Sequence, residues 1–146
     1  MMPHPACPSF FDRLPYQSED LPVLASAKLQ TIIWTARLSE AERFYREVLE
    51  LPLKGRSHGA LVFDVGGSDL RVSPVPSTQP SAHTVLGFAV AYLDAVVAAL
   101  RTRGVTWERF PGFPHDADGV LRTPDGSRVV WFRDPDGNLL SIVQYA

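Results

Sequence analysis

The order of hydrophobic and polar residues changes period several times along the chain. Residues 28–35 are rich in β-branched and aromatic side chains, as a strand would be. The period then lengthens. Ala41, Phe44, Tyr45, Val48 and Leu49 fall at i, i+3, i+4, i+7 and i+8, which places them on one face of a helix. Ser39 and Glu42 have the spacing of a capping box and predict that this helix begins at Ser39. Three short strands are predicted after it, over 53–56, 60–65 and 69–75, with His58-Gly59 and Gly66-Gly67 as the intervening turns. The stretch 74–80 contains three prolines, which remove ladder donors, so it reads as a linker.

Beyond the linker the order recurs. Residues 83–90 predict a strand, and Leu93, Val96, Val97 and Leu100 form a second helical stripe ended by Gly104. Strands are predicted over 105–110, 128–133 and 139–144, with a shorter piece over 120–122. Two Pro-Asp-Gly segments, within 123–127 and 134–138, are turn signals: proline presets the first position and glycine accepts positive φ. The chain therefore divides into two βαβββ modules, about 27–75 and 82–146, of the α+β class, with helices on one face of the strands. Residues 1–26, with five prolines and no sustained periodicity, form a separate extension.

Composition narrows the function. Hydrophobic residues make up 45% of the 146 and charged residues 21%, enough to bury a core. A net charge of −2 with scattered basic residues argues against a nucleic-acid partner. Cys7 is the sole cysteine, so no internal disulfide is available. With no apolar run of membrane-spanning length, the expected compartment is the cytoplasm.

Two motifs resemble a known family. Ala41-Glu42-Arg43-Phe44-Tyr45-Arg46-Glu47-Val48-Leu49 is similar to the first helix, and Phe132-Arg133-Asp134-Pro135-Asp136-Gly137-Asn138-Leu139-Leu140 to the closing hairpin, of the glyoxalase/bleomycin-resistance/dioxygenase (vicinal oxygen chelate) superfamily. The resemblance covers residues 27–145 or so. It implies two modules forming a curved mixed sheet around a central cleft, with the helices on the outer face, and in metal-dependent members a divalent ion held by four strand positions. Those positions fall here on Gln30, Arg71, Val85 and Ser141. Glutamine is a weak ligand, arginine is always cationic, valine has no donor, and serine replaces a carboxylate. No metal or other cofactor is expected.

By the same carry-over, Gln30, Arg71, His83 and Ser141 are expected to point into one cleft, Arg71 as a charge anchor. Ile32, Trp34, Phe63 and Trp131 would line it, and His115, in a Pro- and Gly-flanked loop, would sit on a lid. The expected function is a metal-independent small-molecule binder for a hydrophobic or aromatic, possibly anionic ligand, acting as a homodimer. The alternative is a glyoxalase-like lyase or isomerase, or a ring-cleaving dioxygenase using a divalent metal. A metal-free enzyme would draw on His83, or less well Asp64 or Asp69, for acid–base chemistry. A third alternative is a dimerisation or regulatory module with a filled cleft.

Overall fold

A computed structural model describes residues 22–146; Cys7 and the rest of the chain before residue 22 lie outside the described residues. The first module is β1 (Gln30–Thr35), α1 (Leu38–Arg43), β2 (Leu53–Ser57), β3 (Ala60–Val65) and β4 (Ser68–Pro74). The second is β5 (Thr84–Ala89), α2 (Leu93–Thr102), β6 (Leu121–Arg122), β7 (Arg128–Arg133) and β8 (Leu139–Gln144). Each module builds its own four-stranded mixed sheet, in the orders β1-β4-β3-β2 and β5-β8-β7-β6. The first and last strands of each module pair in parallel, which requires the crossover that the helix and hairpin supply.

One face of each sheet is buried. Ile33, Leu61, Phe63, Leu70 and Val72 of the first sheet share a single core with Leu93, Val97, Leu100, Val130, Phe132, Leu140 and Ile142 of the second module. Phe63, predicted as a cleft residue, belongs to this core. It is fully buried, its ring centroid 6.0 Å from that of Tyr45. The cause is strand phase: Phe63 pairs with Leu70, whereas Val62 pairs with Arg71, so Phe63 and Arg71 point to opposite faces.

Two element predictions are corrected. The first helix starts at Leu38, with Arg37 rather than Ser39 in the cap position and no side-chain cap bond. Thr35 Oγ1 instead accepts from the Arg37 backbone N–H at 3.0 Å, a local turn that fixes the entry of the chain. The helix then widens into a π-helical turn over Phe44–Val48. That turn lets adjacent aromatics engage different partners: Phe44 packs on Phe132 while Tyr45 reaches Phe63 and Asp134. Residues 105–110 are not a strand. Among their backbone groups Glu108 N–H reaches Trp131 O at 2.8 Å, but no regular ladder forms, and β6 takes the place beside β7.

The modules are joined by buried carboxylates of the closing hairpin. Tyr45 Oη donates to Asp134 at 2.6 Å. Asp136 accepts from the Thr35 hydroxyl, the Ala36 N–H at 2.8 Å and the Thr78 hydroxyl at 2.9 Å. Every one of these donors comes from the first module or the linker, so the hairpin of the second module is stitched to both. Burial satisfied in this way is stable where an unpartnered carboxylate would not be.

Candidate functional site

Each sheet has a second face that no helix among the described residues covers. On the first sheet the pairs Gln30–Asp69, Ile32–Arg71 and Trp34–Ser73 bring alternate residues to this face. Ile32 and Trp34 are 52% and 63% exposed there, unusual for such large apolar side chains. The Arg71 guanidinium donates to Ser57 O at 3.0 Å, which steadies it with further N–H groups to spare.

The open face of the second sheet is built from aligned rows of residues. One row aligns Gly87, Ser141 and Trp131, and the next aligns Ala89, Val143 and Val129. A Cβ on Gly87 would lie 3.1 Å from Ser141 Oγ, so glycine leaves the hydroxyl its room. The last two residues of each row, with Thr84, Thr123, Asp125 and Tyr145, line a trough of about 600 Å³. All of its lining comes from the second module. Trp131 Nε1 donates to Thr84 Oγ1 at 3.2 Å, and Phe110 packs edge-on to the indole at 5.2 Å. The indole is thus held from two sides as a fixed apolar wall.

The predicted site residues therefore separate into groups. Gln30, Ile32, Trp34 and Arg71 share one open face; Trp131 and Ser141 share the other. Val85 is 44% exposed at a bulge between Thr84 and Leu86. His83 is exposed at a bend before β5 and is not part of the trough lining, so it does not join Arg71 and Ser141 as expected. His115 is near the trough but its ring nitrogens face the backbone: Nε2 accepts from Phe110 N–H at 3.1 Å, and Nδ1 lies 2.9 Å from Gly119 O. Thr84, Val129, Val143, Asp125 and Tyr145 were not singled out from sequence. Strand phase would have given Val129 and Val143, two residues from Trp131 and Ser141. Asp125 and Tyr145 reach the trough from a turn and a strand end, where no periodicity guides prediction.

The charged groups have local roles. Hydrogen bonding from the Thr123 hydroxyl, then from Ser127, holds the Asp125 carboxyl below its usual range. Asp69 is lowered by the hydrogen bond from Lys54 Nζ, which lies 2.7 Å away, with Lys28 at 3.3 Å on its other oxygen. A carboxyl held ionised between two ammonium groups is a poor general base. Asp64 accepts from Gly67 N–H and closes the turn between β3 and β4. At the four positions where a divalent ion would be held, Arg71 supplies donors only and Val85 supplies nothing. No group of three or more His, Cys, Asp or Glu among the described residues could hold a metal ion. The residues present do not fit such a centre.

The match to the family model of the Glyoxalase/Bleomycin resistance protein/Dioxygenase superfamily runs over residues 28–142, nearly all of both modules. The chain belongs to this superfamily. Several solved structures share the fold. A lactoylglutathione lyase from Agrobacterium tumefaciens superimposes with a TM-score of 0.62 at 22% identity, over 82% of this chain and 93% of that one. A glyoxalase family protein from Bacillus anthracis gives 0.68 at 16% identity, over 86% of this chain and 100% of that one. An integron cassette protein from Vibrio cholerae gives 0.61 at 21% identity, over 86% and 100%. Identities this low carry the fold of the superfamily and not a shared substrate. No curated protein sequence matches the chain. No described helix is long and apolar enough to cross a membrane.

Proposed function

We propose that this superfamily member is a cytoplasmic small-molecule-binding protein that takes a flat hydrophobic or aromatic ligand in the trough of its second sheet, without a metal. The trough itself carries the proposal. Its volume of about 600 Å³ suits a small organic molecule, and it combines the Trp131 wall with the hydroxyls of Ser141 and Thr84. The protein acts as a homodimer in which the first sheet of one copy closes the trough of the other. Support comes from Ile32 and Trp34, an apolar surface that the described residues of one chain leave exposed. Such a closure brings Gln30 and Arg71 to the ligand, and Arg71 would anchor an acidic group.

The test is amide chemical-shift mapping with two probes, naphthalenemethanol and naphthoate. Saturable shifts should centre on Thr84, Trp131 and Ser141. Arg71→Ala should weaken naphthoate about tenfold and leave naphthalenemethanol unchanged, since a charge-assisted hydrogen bond contributes roughly 1.5 kcal/mol or more. Shifts scattered over the surface, or none, would remove the trough from consideration.

The second reading, a metal-dependent lyase, isomerase or dioxygenase, is favoured by the fold shared with the lyase from Agrobacterium tumefaciens. It requires a ligand set that Arg71 and Val85 do not supply. Close to one tightly held Fe, Ni, Zn or Mn per chain after incubation and desalting would revive it.

A further inference from the structure

His115 does not face the trough, yet it holds the loop that supports the trough's aromatic wall. Residues 108–120 begin beside β7, where Glu108 N–H donates to Trp131 O, and pass the indole at Phe110 and His115. Within this loop the Phe110 ring stands 5.2 Å from Trp131 and 5.9 Å from His115, while His115 is itself 6.1 Å from Trp131. The three rings form a closed triangle. Its geometry depends on a bridge across the loop: the imidazole accepts from Phe110 N–H through Nε2 and donates to Gly119 O through Nδ1.

A backbone N–H can only donate and a carbonyl can only accept. The bridge therefore requires the neutral ring with its proton on Nδ1. The imidazolium would set two N–H groups face to face at Phe110, and the opposite tautomer would fail at both ends. Charged groups nearby are occupied elsewhere. Asp116 accepts from the Asp118 and Val120 N–H groups, Asp118 pairs with Arg101 of α2, and Arg109 donates to Ala117 O. From β7, Arg133 is turned to Glu108. None of these contacts the His115 ring, so among the described residues no carboxylate compensates the charge of an imidazolium.

We propose that His115 is a positioning residue and a proton-sensitive latch for the ligand trough: neutral, it fixes Phe110 against Trp131, and on acidification it releases the loop and loosens the indole wall. The consequence for ligands rests on the trough being the binding site; the latch itself does not. The sign follows from the bonds, since the closed form binds one proton fewer than the open one and must lose ground as the pH falls.

The experiment is ¹⁵N NMR of the imidazole and indole nitrogens of the whole chain, without ligand, from about pH 8 to about pH 5, the range in which histidines ordinarily titrate. At the alkaline end His115 should show one tautomer, protonated on Nδ1. The Trp131 indole signal should then shift with the same midpoint as His115. In His115→Gln, whose amide does not titrate, the indole signal should stay still. An Nε2-protonated ring, or a rapid mixture of tautomers, overturns the proposal in the wild-type protein alone, whether or not the variant folds. An indole shift that persists in His115→Gln also overturns it and assigns the effect to another titratable group, such as His4, His58 or His83. Naphthalenemethanol, which carries no charge in this range, gives the functional readout. Its Kd should rise about two- to tenfold across the acid limb, the worth of one hydrogen bond, in the wild type and not in the variant. If that probe never binds while the NMR behaves as stated, the latch stands and the site assignment falls.

Discussion

At Tyr45 a phenol and a carboxylate meet inside the protein: Oη lies 2.6 Å from Asp134, on a side chain with no exposed surface. Burial, and then the adjacent Asp134 charge, push its ionisation well above the ordinary 10.0. The folded state thus prefers the protonated phenol. Its contribution is fully present below pH 10.0 and is lost as the pH rises beyond that value, where the unfolded chain ionises and the folded one does not. Tyr45→Phe should cost about 1.5–3 kcal/mol in a denaturant titration at neutral pH, because Asp134 loses a donor while buried. It should also flatten the alkaline decline in Tm, since Tyr92 and Tyr145 are exposed. Trp107 presents the reverse case. Its buried Nε1 has no hydrogen-bond partner among the described residues, while its ring packs edge-on to Phe132 at 5.6 Å. Trp107→Phe keeps the ring contact and removes the orphan donor. The two effects offset, and the melting temperature should stay within a few degrees of wild type. At this scale the sequence was legible wherever strand phase was known. Arg71 lies on the open face of the first sheet and Trp131 and Ser141 on that of the second, not in one cleft, and Phe63, one residue out of phase, entered the core.

Among the elements, the loop from Gly104 to Val120 departs most from expectation. Its residues 105–110 have strand composition, but Trp107 turns inward to Phe132 and His115 draws the chain back at Phe110. Those are tertiary contacts, invisible to local pattern. Gly119 is fixed by the same packing. Its φ is +90°, and a Cβ there would come within 2.9 Å of Trp107 Cβ. Gly119→Ala should therefore destabilise by about 1–3 kcal/mol, read as a lower denaturant midpoint with unchanged slope. The helix near residue 40 was legible from its apolar stripe, but not its cap, because Thr35 captured the Arg37 N–H before Ser39 could act. Both Pro-Asp-Gly turns formed as predicted, and the second one also places Asp134 and Asp136 for the inter-module bonds.

For the whole molecule, the repeat of order strand–helix–strands was enough to give two modules and, with the two motifs, the superfamily. What the repeat could not give was the relation between the open faces. Within one chain, Gln30 and Arg71 lie on one sheet and Trp131 and Ser141 on the other, and the trough is built by the second module alone. A second copy is the proposed complement. Trp34→Glu, on an exposed position of β1, should leave the fold intact and shift sedimentation from dimer to monomer; a mass unchanged by it would place any interface elsewhere. The central claim, a metal-independent ligand site at Trp131, is tested most directly by calorimetric titration of naphthoate into chelator-treated wild type and Trp131→Ala. Saturable binding to the wild type that survives the chelator and is lost in Trp131→Ala is the expected result. Binding that appears only when a divalent metal is restored, or that Trp131→Ala leaves intact, would contradict it.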